Sequence, residues 1–390
     1  MPFLASRITD TAAKNFGMYE KAAGMADPNG ELIRLELGRP IHDTPDHIKE
    51  ATIAALRAGE VHYSDPSGLR PFRQALATKL RTFNALDVTA DQIIVTNGLT
   101  QASFAAIMAT IDPGDEVILL EPYYPQHVGK IEMAGGKVVL ASLDAANNFS
   151  INPALIEEKI TPKTKAIILV NPCNPTGRVY GREELQALAD LAIRHDLLVI
   201  TDEVYEYITF GRPHISIGAL PGMAERTISL FAFTKAYAMD GWRVGYIVAS
   251  PVLIAGILKV TMNEVTHVNT FIQHGALAAT VDGAAALAAM GADDQVKRDL
   301  VVARLDAMAG VSCKAPEGSI YAFANIEGTG LSAQTFADRL LIEAKVVVEA
   351  GSFYGASGEG HIRVCFGSQT QARLGEAMDR IQAFVAGLDA

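Results

Sequence analysis

Cysteine is nearly absent: Cys173, Cys313 and Cys365 are the only three in 390 residues. Being odd in number and far apart, they suggest neither a disulfide framework nor a paired-cysteine zinc site, and a reducing cytoplasm is the expected compartment. Positive charge is also in deficit, 33 Lys and Arg against 44 Asp and Glu, a formal balance of −11. No basic face stands out, which argues against nucleic acid or an anionic membrane as partner; a small anionic substrate stays possible, because a cleft can be locally positive. No apolar run approaches the ~18 residues of a membrane span, and Met1 to Lys14 has no basic start followed by an apolar core. The expectation is a soluble, unprocessed protein. Metal-ligand spacing is missing among His62, His195, His214, His267 and His274, and neither a Walker motif nor a dinucleotide glycine pattern occurs.

What is present is a long chain with ordinary globular composition, 49% apolar and 20% charged. Two domains are the prior expectation at this length. Short apolar runs at 93–96, 117–120, 166–170, 197–201 and 227–230 alternate with helical segments, and 246–249 adds a further strand. That recurrence predicts an α/β fold, a mostly parallel sheet with helices on both faces. Upstream, residues 7–25 read as an amphipathic helix with Ile8, Ala12, Phe16 and Ala23 on its apolar side. A strand follows at 32–37, ending at Gly38-Arg39-Pro40, then helices at 47–58 and 71–81. Beyond residue 290 the pattern changes: a helix at 293–309, short strands around 318–325, 346–348 and 361–366, and a closing helix at 370–388. This predicts a second, smaller α+β domain of residues 291–390 joined by the N-terminal segment 1–44, with 45–290 as the large domain.

The stretch Phe231-Ala232-Phe233-Thr234-Lys235, continuing to Arg243 and Gly245, carries the most chemistry. Lys235 lies just past a strand's end, where open α/β sheets bind ligands. Aromatic neighbours Phe231, Phe233, Tyr237 and Trp242 would desolvate its amine, lower its pKa and leave more of it as a nucleophile able to condense with an aldehyde. Arg243 adds a fixed cation nearby, so the pair suggests a ligand with both an aldehyde and a phosphate. Asn97-Gly98-Leu99-Thr100 opens a helix after a strand, a layout that points N–H groups at an anion. Each remaining motif has a bland explanation when taken alone: Tyr63 in a turn-rich loop, Glu121 to His127, Asn171 to Gly177, and Thr201 to Tyr205. Their joint order after successive strands is what lets them converge on one crevice.

Together these motifs resemble the class I/II aminotransferases, the fold-type I pyridoxal 5′-phosphate enzymes, from about Leu35 to Phe366. The resemblance implies that Lys235 is the Schiff-base lysine, Arg243 the phosphate arginine, and Gly98, Leu99 and Thr100 the phosphate-cradling turn. It implies Tyr124 as the ring-stacking aromatic, Asn174 and Tyr205 as partners of the ring's phenolic oxygen, and Asp202 as the carboxylate facing the ring nitrogen. Arg363 corresponds to the arginine that grips the substrate's α-carboxylate, with Gly38 a backbone contact to the same group. Tyr63 corresponds to a tyrosine reaching the phosphate of a partner subunit, which implies a homodimer with shared active sites. Two departures stand out. Ala232 and Thr234 replace the serines common near the lysine, leaving Thr234 to supply a phosphate hydroxyl. Arg39 stands where an acidic residue is common, a candidate for reading a side-chain carboxylate, although an exposed turn arginine explains it as well. His127 either orients Asp202 from behind or is a core histidine.

The expected activity is amino transfer from an L-α-amino acid to a 2-oxo acid by a ping-pong mechanism, with a dicarboxylate such as aspartate or glutamate as one partner. The rivals are a β-lyase or synthase using the same cofactor, and an inactive ligand-sensing module.

Overall fold

The computed structural model describes residues 3–9, 11 and 17–388. Its strands, in chain order, are β1 (Ile33–Arg34), β2 (Ile93–Thr96), β3 (Glu116–Glu121), β4 (Lys137–Ser142), β5 (Thr164–Val170), β6 (Leu198–Asp202), β7 (Thr227–Ala232), β8 (Gly245–Val248), β9 (Tyr321–Asn325), β10 (Val346–Val347), β11 (Glu349–Ala350) and β12 (His361–Cys365). Seven of them form one sheet in the order β2-β8-β7-β6-β5-β3-β4. Every pairing is parallel except those of β8, which runs against both β2 and β7. The mostly parallel α/β sheet expected from the alternating runs is therefore present.

Burial explains why these runs become strands. β2, β3 and β8 are buried at every position, as strands covered on both faces must be. At the edge, β4 exposes Lys137 and Leu140. Helices Gly98–Thr110 and Arg182–Arg194 follow β2 and β5 and bury apolar residues such as Ala102, Ala106, Leu185 and Leu188.

The antiparallel strand matters for function. Because β8 runs backwards, its first residue lies beside the final residues of its neighbours, with Gly245 opposite Thr96 and Ala232. Arg243, two residues before β8, is thereby delivered to the same end of the sheet as the loops that leave β2 and β7.

A second layer of short strands lies outside this sheet. β11, β12 and β9 form an antiparallel trio, with Glu349 opposite Arg363, and β1 pairs in parallel with β10. Ile33 thus sits opposite Val346, which ties the early chain to its late part. Ser332 and Thr370 cap the helices Ala333–Ala344 and Gln371–Ala386, each side chain accepting from a backbone N–H inside the first turn.

Several boundaries differ from expectation. The strand at 32–37 shrinks to Ile33–Arg34, although Leu35 still donates its N–H to the Val347 carbonyl at 2.8 Å. Of the helix at 7–25, the structure has Ser6–Thr9 and Met18–Ala23, while Ala12 and Phe16 lie outside the described residues. The helix placed at 293–309 spans Ala284–Asp306, because its alanine-rich first turns carry no amphipathic period. Among the described residues no single helix is long and apolar enough to cross a membrane. The two apolar helices 270–282 and 284–306 meet at 79° and bury Gln273, Asp294 and Lys297.

Candidate active site

At the carboxyl ends of the parallel strands a cavity of about 720 Å³ opens. Leu99 and Thr100 enter it after β2, Tyr124 after β3, Asn174 after β5, Asp202 and Tyr205 from the end of β6, and Thr234 and Lys235 after β7. Arg363 on β12 and Gly38 after β1 close the far side.

The lysine amine is well placed. Lys235 Nζ donates to the carbonyl of Gly38, and burial lowers its pKa, reinforced by the nearby Arg363 and opposed by Cys365, Asp240 and Asp202. Beside it Arg243 takes a positive φ of 56° and donates Nη1 to the Asp240 carbonyl at 2.9 Å. Its guanidinium lies against Gly98, where a Cβ would sit 2.6 Å from Nη2 and φ is +77°. Only glycine fits there. A guanidinium pressed on the first turn of the helix Gly98–Thr110 makes a cradle for an anion.

Asp202 is buried and accepts from the Val204 N–H at 3.2 Å. Burial pushes its carboxyl up to about 6, against the pull of that N–H and of Lys130 and Lys235. His127 stands behind it, Nε2 3.8 Å from Oδ2, and burial holds the imidazole neutral. Neither ring nitrogen has a hydrogen-bond partner among the described residues. Tyr124 packs edge-on to His127, ring centroids 5.3 Å apart.

Arg363 is held on every side but one. Nη1 donates to Asn174 Oδ1 at 3.0 Å, Nη2 donates to the Glu36 carbonyl, and the guanidinium lies over the rings of Tyr321 and Tyr354 at 4.2 and 4.9 Å. Its buried Nε has no partner among the described residues. Tyr321 Oη also meets Tyr205 Oη at 2.7 Å, and a Cβ on Gly38 would fall 1.8 Å from that same hydroxyl oxygen. Burial pushes the Tyr321 phenol up to about 12, so it is a neutral hydrogen-bonding group at physiological pH.

Of the site residues singled out in the sequence, Gly38, Leu99, Thr100, Tyr124, Asn174, Asp202, Tyr205, Thr234, Lys235, Arg243 and Arg363 line this one cavity, Gly98 lies against the Arg243 guanidinium, and His127 stands behind Asp202 rather than on the wall. Tyr63 is 88% exposed, packs edge-on to His267 and does not line its own chain's cavity. Arg39 lines the mouth, exposed and with no carboxylate partner among the described residues. Sequence reasoning missed Tyr321, Tyr354, Lys130, Glu36 and Glu349, all of them lining residues. No local pattern marks them; they read as strand, loop or helix residues until the fold brings them in.

A primary amine, an arginine-backed helix turn for an anion, a buried carboxylate and a stacking tyrosine are the donor set that pyridoxal 5′-phosphate requires, and the glycine cradle leaves room for its phosphate. Fold and cavity together define a pyridoxal-phosphate enzyme on a mostly parallel sheet. The family profile described as "Aminotransferase class I and II" matches residues 30–381. The chain is 38% identical to an aspartate aminotransferase of Pyrococcus abyssi, over 94% of this chain and 93% of the relative. It is 37% identical to aromatic-amino-acid aminotransferase 2 of Thermococcus litoralis, over 90% and 91%. The structure of the Thermus thermophilus aspartate aminotransferase with maleate superposes with a TM-score of 0.93 at 33% identity, covering 98% of this chain and all of that one. The chain belongs to the class I and II aminotransferases, whose members of the aspartate aminotransferase type use pyridoxal 5′-phosphate.

Proposed function

We propose that the protein moves an amino group from an L-α-amino acid to a 2-oxo acid in two half-reactions, with a dicarboxylate such as aspartate or glutamate as one partner. The observation that carries this reading is that two chemically different groups reach one short stretch of backbone. Lys235 donates to the Gly38 carbonyl and Arg363 to the Glu36 carbonyl, so a proton-moving amine and a carboxylate-binding guanidinium stand side by side.

Bound pyridoxal 5′-phosphate supplies an electron sink that makes the proton on the substrate's Cα removable. Lys235, its amine already lowered in pKa, takes that proton as general base and returns it as general acid. Asp202 would hold a proton on the ring nitrogen, with His127 limiting its movement from behind. Arg363 offers a planar fork for the α-carboxylate, fixed by Asn174 and two tyrosine rings, and Gly38 a backbone contact to the same group. Arg243, Gly98, Leu99, Thr100 and Thr234 would hold the phosphate, Tyr124 the ring face, and Asn174 and Tyr205 the phenolic oxygen.

The dicarboxylate is supported by Arg39 at the cavity mouth and by relatives named for aspartate, although another is named for aromatic amino acids. Tyr63, exposed and not among the residues lining its own chain's cavity, supports a homodimer in which each chain lends this tyrosine to the other. We assign residues 45–290 to a cofactor-binding domain and 1–44 with 291–390 to a smaller one, a division supported by the β1–β10 pairing. Lys235→Ala is expected to bind the cofactor and lose turnover. Near-normal amino transfer by that variant, measured with a panel of amino donors and 2-oxo acids, would remove the reading.

A further inference from the structure

Tyr205 and Tyr321 are both buried and both line the cavity, Tyr205 in the turn after β6 and Tyr321 as the first residue of β9. Their hydroxyl oxygens are 2.7 Å apart, and among the described residues neither hydroxyl makes another hydrogen bond. A phenol has one O–H to donate and can accept on its oxygen. Two protons therefore share one oxygen–oxygen contact, and one of them must point elsewhere. The distance allows either hydroxyl to be the donor.

The surroundings choose between the two orientations. Gly38 packs on the Tyr321 oxygen so closely that a Cβ there would fall 1.8 Å from it, and Tyr205 is the one acceptor within reach of the Tyr321 proton among the described residues. The Arg363 guanidinium lies 4.2 Å from the centroid of the Tyr321 ring. Burial raises that phenol and Arg363 pulls it back, which makes its hydroxyl the better donor. Tyr205 has a prospective acceptor of its own in the cavity, the phenolic oxygen assigned to it above. The other donor meant for that oxygen is held in the same manner, since Asn174 Oδ1 accepts from Arg363 Nη1 at 3.0 Å and leaves the amide N–H groups for the cavity.

We propose that Tyr321 is a positioning residue for Tyr205: its hydroxyl donates to Tyr205 Oη, which turns the Tyr205 proton towards the phenolic oxygen of bound pyridoxal 5′-phosphate and strengthens that contact. The inference rests on the reading given above and deepens it by naming the residue that orients one of its parts. A hydroxyl that accepts one hydrogen bond while donating another is polarised and donates more strongly. Stabilised negative charge on the phenolic oxygen weakens its hold on the proton of the lysine-linked nitrogen. The holoenzyme's visible absorbance, which follows that proton, then changes at lower pH than it would without the tyrosine pair.

The experiment titrates the visible absorbance of the holoenzyme against pH for the wild type, Tyr321→Phe, Tyr205→Phe and the double variant. Tyr321→Phe keeps the ring beneath Arg363 and removes only the hydroxyl. Its midpoint should rise by about half a pH unit, and that of Tyr205→Phe should rise further. The double variant should match Tyr205→Phe alone, because Tyr321 acts only through Tyr205. With an amino donor, Tyr321→Phe should lower kcat several-fold and leave KM nearly unchanged. A raised KM with an unmoved midpoint would make Tyr321 part of the carboxylate site of Arg363 and overturn the proposal. An unmoved midpoint in Tyr321→Phe, or a double variant whose shift is the sum of the two single ones, would overturn it too. A midpoint indifferent to Tyr205→Phe would remove the proposal together with the placement of Tyr205. Midpoints that move as expected in an enzyme that transfers its amino group to no 2-oxo acid would remove the transamination reading and leave the role of Tyr321 standing.

Discussion

Glu349 is buried beside Arg363, its carboxylate oxygens accepting from the Met18 N–H at 3.2 and 3.3 Å and from the Ala350 N–H at 3.2 Å. Burial nonetheless dominates and raises its pKa from an ordinary 4.5 to about 7, against the pull of Arg363 and the two N–H groups. A folded carboxyl that holds its proton more tightly than the unfolded one contributes stability below pH 4.5 and loses it as pH rises to about 7. At ~1.4 kcal/mol per pH unit, that loss is about 3 kcal/mol. Glu349→Gln keeps an acceptor for the N–H groups and does not ionise. Its stability relative to wild type should grow between pH 4.5 and 7.5 and level off above, as read by thermal melts of both proteins across that range; a flat difference contradicts the assignment. Residues of this kind were not legible in the sequence. Lys235, Asp202 and Arg363 could be found because each follows or sits in a recognisable strand with companions at fixed order. Glu349 and Lys130 sit in segments whose pattern is that of packing, and only the fold reveals that their side chains border a cavity.

At the scale of elements, the parallel strands could be read because each is a short apolar run between turn signals, as in Ile93-Ile94-Val95-Thr96. β4 escaped because an edge strand with exposed Lys137 and Leu140 has neither a continuous apolar run nor clean alternation. The reversal of β8 was invisible as well, since direction within a sheet is set by which neighbours pair, not by the run itself. A buried lysine shows how two elements are fastened below the site. Lys79, from the helix Arg70–Phe83, reaches Glu206 Oε1 at 2.5 Å inside a box made by the rings of Phe83, Tyr207, Phe231 and Tyr246, 4.8 to 5.9 Å away. Asn84 holds the other Glu206 oxygen at 2.8 Å. Glu206 adjoins Tyr205 in the chain, so this pair anchors the turn that carries a site residue. Removing the cation leaves a buried carboxylate facing four rings, and Lys79→Met should destabilise the protein by about 3–5 kcal/mol, measured as a lower urea midpoint. Lys79→Met combined with Glu206→Gln should lose less than Lys79→Met alone; an equal or greater loss would show that the pair itself contributes little.

For the whole molecule, the testable claim is that sites are shared between two copies. Val61 and Tyr63 are exposed side by side, with Ile53 and Leu56 on the preceding helix also open to solvent. If Tyr63 serves the opposite subunit, Lys235→Ala and Tyr63→Ala chains complement one another. Mixed and allowed to exchange, they form hybrid dimers in which one of the two sites has both residues intact, so about a quarter of all sites should recover activity under random pairing. Activity of the mixture no greater than the average of the two parents would place Tyr63 in the service of its own chain.

The pairing of Ile33 with Val346 also has a bearing on how the chain comes into being. A ribosome releases the large sheet early, while the first strand waits, unmatched, until residue 346 has emerged. Arg363 comes later still. The amine at 235 therefore spends part of synthesis without the guanidinium that will orient its substrate, and a nascent chain stalled before the last strands holds a nucleophile with no means of choosing what it meets.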